Sequence, residues 1–296
     1  MSGIFESLES SKQQGIQTTI DALREMQERL SEYPCRPQQG MIYSNQSKYV
    51  SWRFDPKEFK TIEILHLTDL QFGHVECRVR KWMEYQDWVL SKPNRFVLFG
   101  GDMIDSATIM SPGEPWENIC GPQRQVYKFC DLVAPLRGRI LGFVGGNHER
   151  RGMKTFGDLG LLIAMLLKVP YSSGMQWVDI HFGEHKPYKI HLWHGSGASR
   201  TKGAKVMMLH RFMTSYPGSD LYLVGHLHDA FLLPCVDLKR DTAKCSIGRK
   251  KIYGGMSSSF LDFINTYAEV AGMSACDIFM LRSVLTPDGK VEVTVR

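Results

Sequence analysis

The sequence predicts an α/β protein built on parallel strands. Five apolar runs of strand length recur between residues 62 and 228, and each ends in a turn bearing Asp, Asn or His. Helical apolar periodicity lies between several of these runs. The first two enclose one such helix, and a strand–helix–strand crossover favours neighbouring parallel strands.

Residues 1–59 read as a helical extension in front of a domain spanning 60–296. Ile16, Ile20, Leu23 and Leu30 fall at helical spacings, so an amphipathic helix is predicted over 14–32, ended by Pro34 and Pro37. It reads as packing on the core; contact with a second copy of the chain is the alternative. Residues 41–43 and 49–54 are strand candidates.

In the domain, a strand over 62–67 runs into Thr68-Asp69-Leu70-Gln71. Val79, Trp82, Met83 and Val89 then mark a helix within 77–90. The strand over 95–99 runs into Gly100-Gly101-Asp102-Met103-Ile104-Asp105, and the Pro- and Gly-rich stretch 110–122 reads as a surface loop. A helix over 123–132 leads to a strand from 139, which ends in Gly145-Gly146-Asn147-His148-Glu149. Further on, a helix is expected over 156–167 and a strand pair over 176–182 and 188–193, the second running into His194-Gly195-Ser196-Gly197. A helix over 204–216 precedes the strand 221–224 and its turn Gly225-His226-Leu227-His228. Strands over 231–238 and 251–253 flank a basic loop, 239–250. A hairpin over 278–284 and 290–295, turned by Thr286-Pro287-Asp288-Gly289, closes the fold.

With 296 residues, 43% hydrophobic and 23% charged, the composition is that of a soluble globular protein. No apolar run approaches the roughly 20 residues of a membrane span, and no membrane partner is expected. The N-terminus lacks a basic region followed by an apolar core, so no secretory signal is expected. Seven cysteines without a Cys-x-x-Cys pair suggest reduced thiols and a cytoplasmic location. A net charge of +5 is mildly basic and permits a polyanionic partner.

Gly-Asn-His alone is a weak signal, since an N-capping Asn in a turn reads equally well. Five polar strand ends are a stronger one, because such groups are costly to bury as mere structure. In an open α/β sheet the carboxyl ends of strands form the ligand-binding rim. Gathered there, these side chains make a site of N and O donors for a hard-to-borderline metal, with no thiolate.

Taken in order, Asp69-Leu70-Gln71, Gly101-Asp102-Met103-Ile104-Asp105, Gly146-Asn147-His148-Glu149, His194 and Gly225-His226-Leu227-His228 resemble the signature of the calcineurin-like metallophosphoesterase superfamily. That signature is Asp-x-His, Gly-Asp-x-x-Asp, Gly-Asn-His-Asp/Glu, a lone His and Gly-His-x-His. The resemblance covers roughly residues 60–256. It implies a four-layer sandwich of two mixed β-sheets flanked by helices. It also implies two divalent metal ions, manganese first, with iron, zinc, nickel or magnesium as alternatives. One ion would be held by Asp69, Asp102, His228 and residue 71, and the other by Asp102, Asn147, His194 and His226. Asp102 would bridge them, supporting attack by a bridging hydroxide, and His148 would contact the phosphate and protonate the leaving oxygen. Such proton donation is typically worth roughly 10²–10⁴-fold.

The sequence departs from the pattern at Gln71, where the family usually carries His. Three arrangements are open: Gln71 ligates through its carbonyl oxygen, His74 moves in, or the first ion keeps fewer protein ligands.

Basic residues follow the turns: Arg78, Arg80 and Lys81; Arg150, Arg151 and Lys154; Arg200, Lys202 and Lys205. A fourth group, Lys239 to Lys251, lies in the late loop. Each alone reads as a solvated face, but three clusters directly after ligand turns fit a phosphate backbone crossing the metals. Arg150, Arg200, Lys202 and His74 are the expected substrate contacts. A nucleic acid or nucleotide is the favoured phosphoester substrate, ahead of a phosphomonoester; a non-catalytic scaffold is the third reading. Phe72, Trp116, Phe156 and Phe260 are candidates for base stacking, with core roles favoured for most. Asp105 either orients a ligand or caps a helix, Glu149 is expected to anchor the Asn147 turn, and His66 and His191 are read as structural.

Overall fold

The computed structural model describes residues 2–34, 47–109, 111, 113–154, 157–270, 272 and 274–296, with the backbone alone for 2–12, 16, 154 and 267. The strand candidate at 41–43, Phe156 and the side chains of Ile16 and Lys154 lie outside what is described.

Twelve strands among these residues form two six-stranded mixed sheets. In chain order they are β1 (Tyr49–Phe54), β2 (Ile62–Leu67), β3 (Arg95–Phe99), β4 (Ile140–Val144), β5 (Tyr171–Ser172), β6 (Gln176–Phe182), β7 (Tyr188–Leu192), β8 (Leu221–Val224), β9 (Phe231–Asp241), β10 (Ser246–Met256), β11 (Leu281–Leu285) and β12 (Val291–Val295). One sheet runs β12-β11-β2-β3-β4-β5, with β2 to β5 parallel and β11 antiparallel to β2. The other runs β1-β6-β7-β8-β10-β9, with β7, β8 and β10 parallel.

Side-chain alternation sorts these strands into layers. Ile62, Ile64, Phe96 and Leu98 face the second sheet, where they meet Val178, Ile180, Ile190 and Leu221. Leu65, Leu67, Val97 and Phe99 face outward under helices α2 (Val79–Leu90), α3 (Pro122–Val133) and α5 (Leu159–Leu167). Trp82, Phe129 and Ile163 fill that layer. On the far side, Leu209, Phe212 and Met213 of α6 (Lys202–Ser215) cover Tyr222, Val224 and Met256. The result is helix, sheet, sheet, helix: a four-layer α/β sandwich. Strands buried on both faces carry continuous apolar runs, which is why the central ones were legible.

Helix α1 (Ser2–Ser31) begins twelve residues earlier than the periodicity predicts, because extending a formed helix through polar residues is cheap. Its last turns meet the core: Met26 and Leu30 are buried, and Arg137 donates to the Leu30 carbonyl. After Asn147 the chain makes a short helix, α4 (Asn147–Arg150), and a 3₁₀ turn, both too short to show a period. Helix α5 starts at Leu159 rather than 156, capped by Asp158, whose carboxylate accepts from Leu161 N at 3.1 Å. The expected basic loop 239–250 is instead mostly ladder, since β9 and β10 pair over eleven residues each. Consecutive cations, Lys239-Arg240 and Arg249-Lys250-Lys251, put charge on both faces and hid the strand period. Among the described residues no helix is long and apolar enough to cross a membrane.

His191 lies on β7 beneath α6, its ring stacked on Trp177 at 4.2 Å. Neither ring nitrogen forms a hydrogen bond, and burial pulls its pKa down to about 4. As pH falls from about 6.5, the unfolded chain binds this proton before the folded one does. Stability is therefore lost between about pH 6.5 and 4. In His191→Phe, the difference between urea midpoints at pH 7 and pH 5 should be smaller than in the wild type; equal differences would contradict this account.

Candidate metal centre

The carboxyl ends of β2, β3, β4, β7 and β8 open on one rim, and the turns that follow them are interlocked through the backbone. Asp69 N donates to Gly101 O, Gln71 N to Asp102 O and Gly225 N to His194 O, each at 2.9 Å. Two glycines permit this approach: a Cβ on Gly146 would lie 2.0 Å from Asp102 Oδ1, and one on Gly225 2.4 Å from Asp69 Oδ2. Asp69, Gln71, Asp102, His226 and His228 all adopt left-handed backbone, with φ from 48° to 71°. Such conformations are costly for non-glycine residues and cluster at functional sites.

These turns bring together the seven residues singled out as metal donors. Asp69 Oδ2 accepts from the Thr68 hydroxyl and from His226 N, while Oδ1 is buried without a hydrogen bond, 3.4 Å from His228 Nε2. The Gln71 amide nitrogen lies 3.2 Å from the same His228 nitrogen; a half-turn of the amide would present its oxygen there. Asp102 Oδ1 accepts from His148 N at 2.8 Å, and Oδ2 lies 3.2 Å from His194 Nε2. Asn147 Oδ1 sits 3.0 Å from that same nitrogen.

Two carbonyls fix the imidazole faces. Gly100 O lies 2.8 Å from His194 Nδ1 and Gly197 O 2.8 Å from His226 Nε2. A carbonyl only accepts, so those nitrogens carry hydrogen, leaving His194 Nε2 and His226 Nδ1 as lone-pair donors. Donor atoms of Asp102, His194 and His226 lie within 4.8 Å of one another.

The electrostatics show which charge the site favours. Burial opposes the charge on Asp102, but His148 and His194 together hold its carboxyl far below the usual range. Burial likewise opposes the His194 imidazolium, yet the Asp102 and Asp69 carboxylates outweigh it and raise that pKa to about 10. Burial, then the His194 charge, pushes His226 down. The carboxylates thus favour positive charge beside them. Nitrogen and oxygen donors, a buried carboxylate oxygen without a hydrogen bond and a field that favours cations fit a divalent metal centre.

His148 stands beside these groups. Its Nδ1 lies 2.8 Å from Asp105 O and 3.0 Å from Asp105 Oδ1. Asp105 therefore orients the ring, and Asn118 holds Asp105 through Oδ2 at 2.8 Å. Burial disfavours charge on His148, but Asp102 and Asp105 together raise its pKa. Arg151 donates to His148 Nε2 at 2.9 Å. In the sequence Arg151 stands out only as one charge in a cluster. Its place one helical turn after His148 was the available signal. Glu149 accepts from the backbone N–H groups of Asp102, Met103 and Gly146 at 2.6–3.0 Å, joining two turns.

The expected substrate contacts separate. Arg150 and Arg151 line a cleft of about 410 Å³ with Asn147, Trp193, His194 and His226. Arg200 and Lys202 are exposed but do not line this cleft. His74 is buried and does not line this cleft, with Nδ1 accepting from Glu76 N at 3.1 Å and Nε2 3.4 Å from Glu117. Lys205, counted as a rim cation, is wholly buried against Asp229 at 3.1 Å. Arg78 is paired with Asp262 and Lys81 with Glu84. Phe72 and Phe260 are buried core residues, and Trp116 is exposed.

The calcineurin-like phosphoesterase family matches residues 62–230. No curated protein matches the sequence. Among solved structures, similarity extends to a metallophosphoesterase from Sphaerobacter thermophilus, at 14% identity and TM-score 0.37, covering 79% of this chain and 87% of that one. A Haemophilus influenzae NAD nucleotidase (NadN) gives 12% identity and TM-score 0.37, covering 79% and 49%. A Saccharomyces cerevisiae protein serine/threonine phosphatase with similarity to human PP5 gives 9% and 0.35, covering 93% and 87%.

Replacing Gln71 tests its place in the centre. Gln71→His offers an imidazole where an amide stands, so calorimetric titration with Mn²⁺ should show equal or tighter binding. A large loss of bound metal would remove residue 71 from the donor set.

Proposed function

The chain belongs to the calcineurin-like phosphoesterase family and is a metal-dependent phosphoester hydrolase, and from that premise we propose that it acts on a phosphodiester of a nucleotide or nucleic acid. The observation that carries this reading is the cleft beside the metal centre. It sets the Arg150 and Arg151 guanidiniums beside Asn147 and His194, with Trp193, half-buried against Phe212 of α6 at 5.0 Å, in its wall. Guanidiniums offer paired donors to a phosphate, and a half-buried indole in the wall adds apolar surface for a base.

In this reading Asp69, Gln71, Asp102 and His228 hold one ion, and Asp102, Asn147, His194 and His226 the other. Manganese suits the mixture of carboxylate, amide and imidazole donors. Bound ions of this kind polarise the phosphoryl group and make water acidic enough to attack it. Asp102 lies between the two donor sets. Asp105 orients His148, which brings a proton to the leaving oxygen from Nε2. Arg151 occupies that nitrogen in the free protein. An arriving phosphate is a stronger partner for a guanidinium than a ring nitrogen is, so binding frees Nε2 to take up its proton. The six cysteines among the described residues are free, which suits a reducing compartment such as the cytoplasm.

With Mn²⁺ the protein should hydrolyse bis-p-nitrophenyl phosphate faster than p-nitrophenyl phosphate. The opposite order would make it a phosphomonoesterase, and tight metal binding without turnover would make it a scaffold. His148→Ala should lower kcat by roughly 10²–10⁴-fold while retaining metal by elemental analysis. Loss of metal in that variant would mean that His148 is a ligand.

A further inference from the structure

Strand β10 pairs with β8 only over Tyr253–Met256, but with β9 along its whole length. The ladder from Ser246↔Asp241 to Ile252↔Cys235 therefore leaves the sheet as a two-stranded ribbon, roughly 20 Å long at about 3.3 Å per residue. Residues directly opposite share a face. On one face Val236 opposes Lys251, Leu238 opposes Arg249 and Arg240 opposes Ile247. Each rung joins one apolar residue to one cation. Val236, Leu238 and Ile247 are 57%, 63% and 67% exposed, and Arg240, Arg249 and Lys251 are exposed as well.

Residues 231–256 carry six basic and two acidic side chains, a surplus of four in a chain of net charge +5. This charge is remote from the metal centre. Strand β10 runs parallel to β8, whose carboxyl end delivers His226, so the ribbon projects from the opposite end of the sheet. The pairing of Lys250 with Asp220, just before β8, fixes it there. At its base Arg249, Lys251 and Tyr253 face Lys290 and Val291 across a cleft of about 660 Å³.

We propose that this ribbon face docks the protein on an anionic lipid surface. A protein partner would be met by an apolar centre and a charged rim, whereas here apolar and cationic groups alternate rung by rung. A nucleic acid would engage the cations and leave three aliphatic side chains in water. A second copy would bring like charge to like. A headgroup layer accepts both kinds at one depth: aliphatic groups reach the acyl boundary while Lys and Arg stems extend to lipid phosphates. This contact is peripheral, so the absence of a spanning segment, which led to no membrane partner being expected, does not bear on it. Docking from this end leaves the catalytic rim facing water.

The test is co-sedimentation with phosphatidylcholine vesicles with and without about 30% phosphatidylserine, at about 0.1 M salt. The protein should partition at least about ten-fold more strongly onto the anionic vesicles. The Arg240→Glu/Arg249→Glu pair should abolish that preference, and the Leu238→Ser/Ile247→Ser pair should weaken it by about five-fold or more. Both variants should keep wild-type turnover of bis-p-nitrophenyl phosphate, which reports an intact fold. Equal partition onto both vesicle types would overturn the proposal. So would serine variants that bind like the wild type, or duplex DNA bound through the same arginines while vesicles are ignored.

Discussion

Asp69 and Asp102 are buried where the two sheets meet, and among the described residues neither is paired with a lysine or arginine. Removing a carboxylate from water costs several kcal/mol unless hydrogen bonds or opposite charge offset it. Part of that offset is local, from the Thr68 hydroxyl and the backbone N–H groups of His148 and His226. Imidazoles supply the rest only if protonated, and a protonated His194 has no lone pair to give. A cation between the donors would resolve both difficulties. It would meet the carboxylate charge directly and let the imidazoles bind as neutral ligands.

Glu149 shows that burial alone does not make a metal ligand. It is as deeply enclosed as Asp102, yet its oxygens are occupied by backbone N–H groups from both neighbouring turns. That saturation makes it a staple. It holds the left-handed Asp102 against the Asn147 turn, while glycines at 146 and 225 let the backbones approach. Five donor residues held in a glycine-like conformation cannot gain their stability locally. It comes from the packed layers beneath, above all the two faces of β2 and β3.

The rim was legible from the sequence because its information is local. A buried strand reads as an apolar run, and the polar residue that ends it stands within a few positions of a glycine, so Asp69, Asp102, Asn147, His194 and His226 could be found one by one. What depended on partners distant in sequence was not legible. Nothing near Lys205 announces Asp229, and nothing near His74 announces Glu117. The ribbon was misread for a different reason. Its cations stand in consecutive runs, Lys239-Arg240 and Arg249-Lys250-Lys251, and such a run looks the same whether the chain is looped or extended.

That misreading changes what the basic composition means. A net charge of +5 looked like a hint about the substrate. Yet most of the surplus is concentrated in the ribbon, at the end of the sheet away from the chemistry. Near the rim, Arg78, Lys81 and Lys205 are neutralised by Asp262, Glu84 and Asp229. The cleft keeps Arg150 and Arg151, and one of these already occupies His148. On the proposed reading, attraction of a phosphate to this site would rest on metal cations and the two guanidiniums of the cleft more than on a broad basic field. Such a site binds its substrate at short range, where geometry rather than total charge decides which phosphoester reacts.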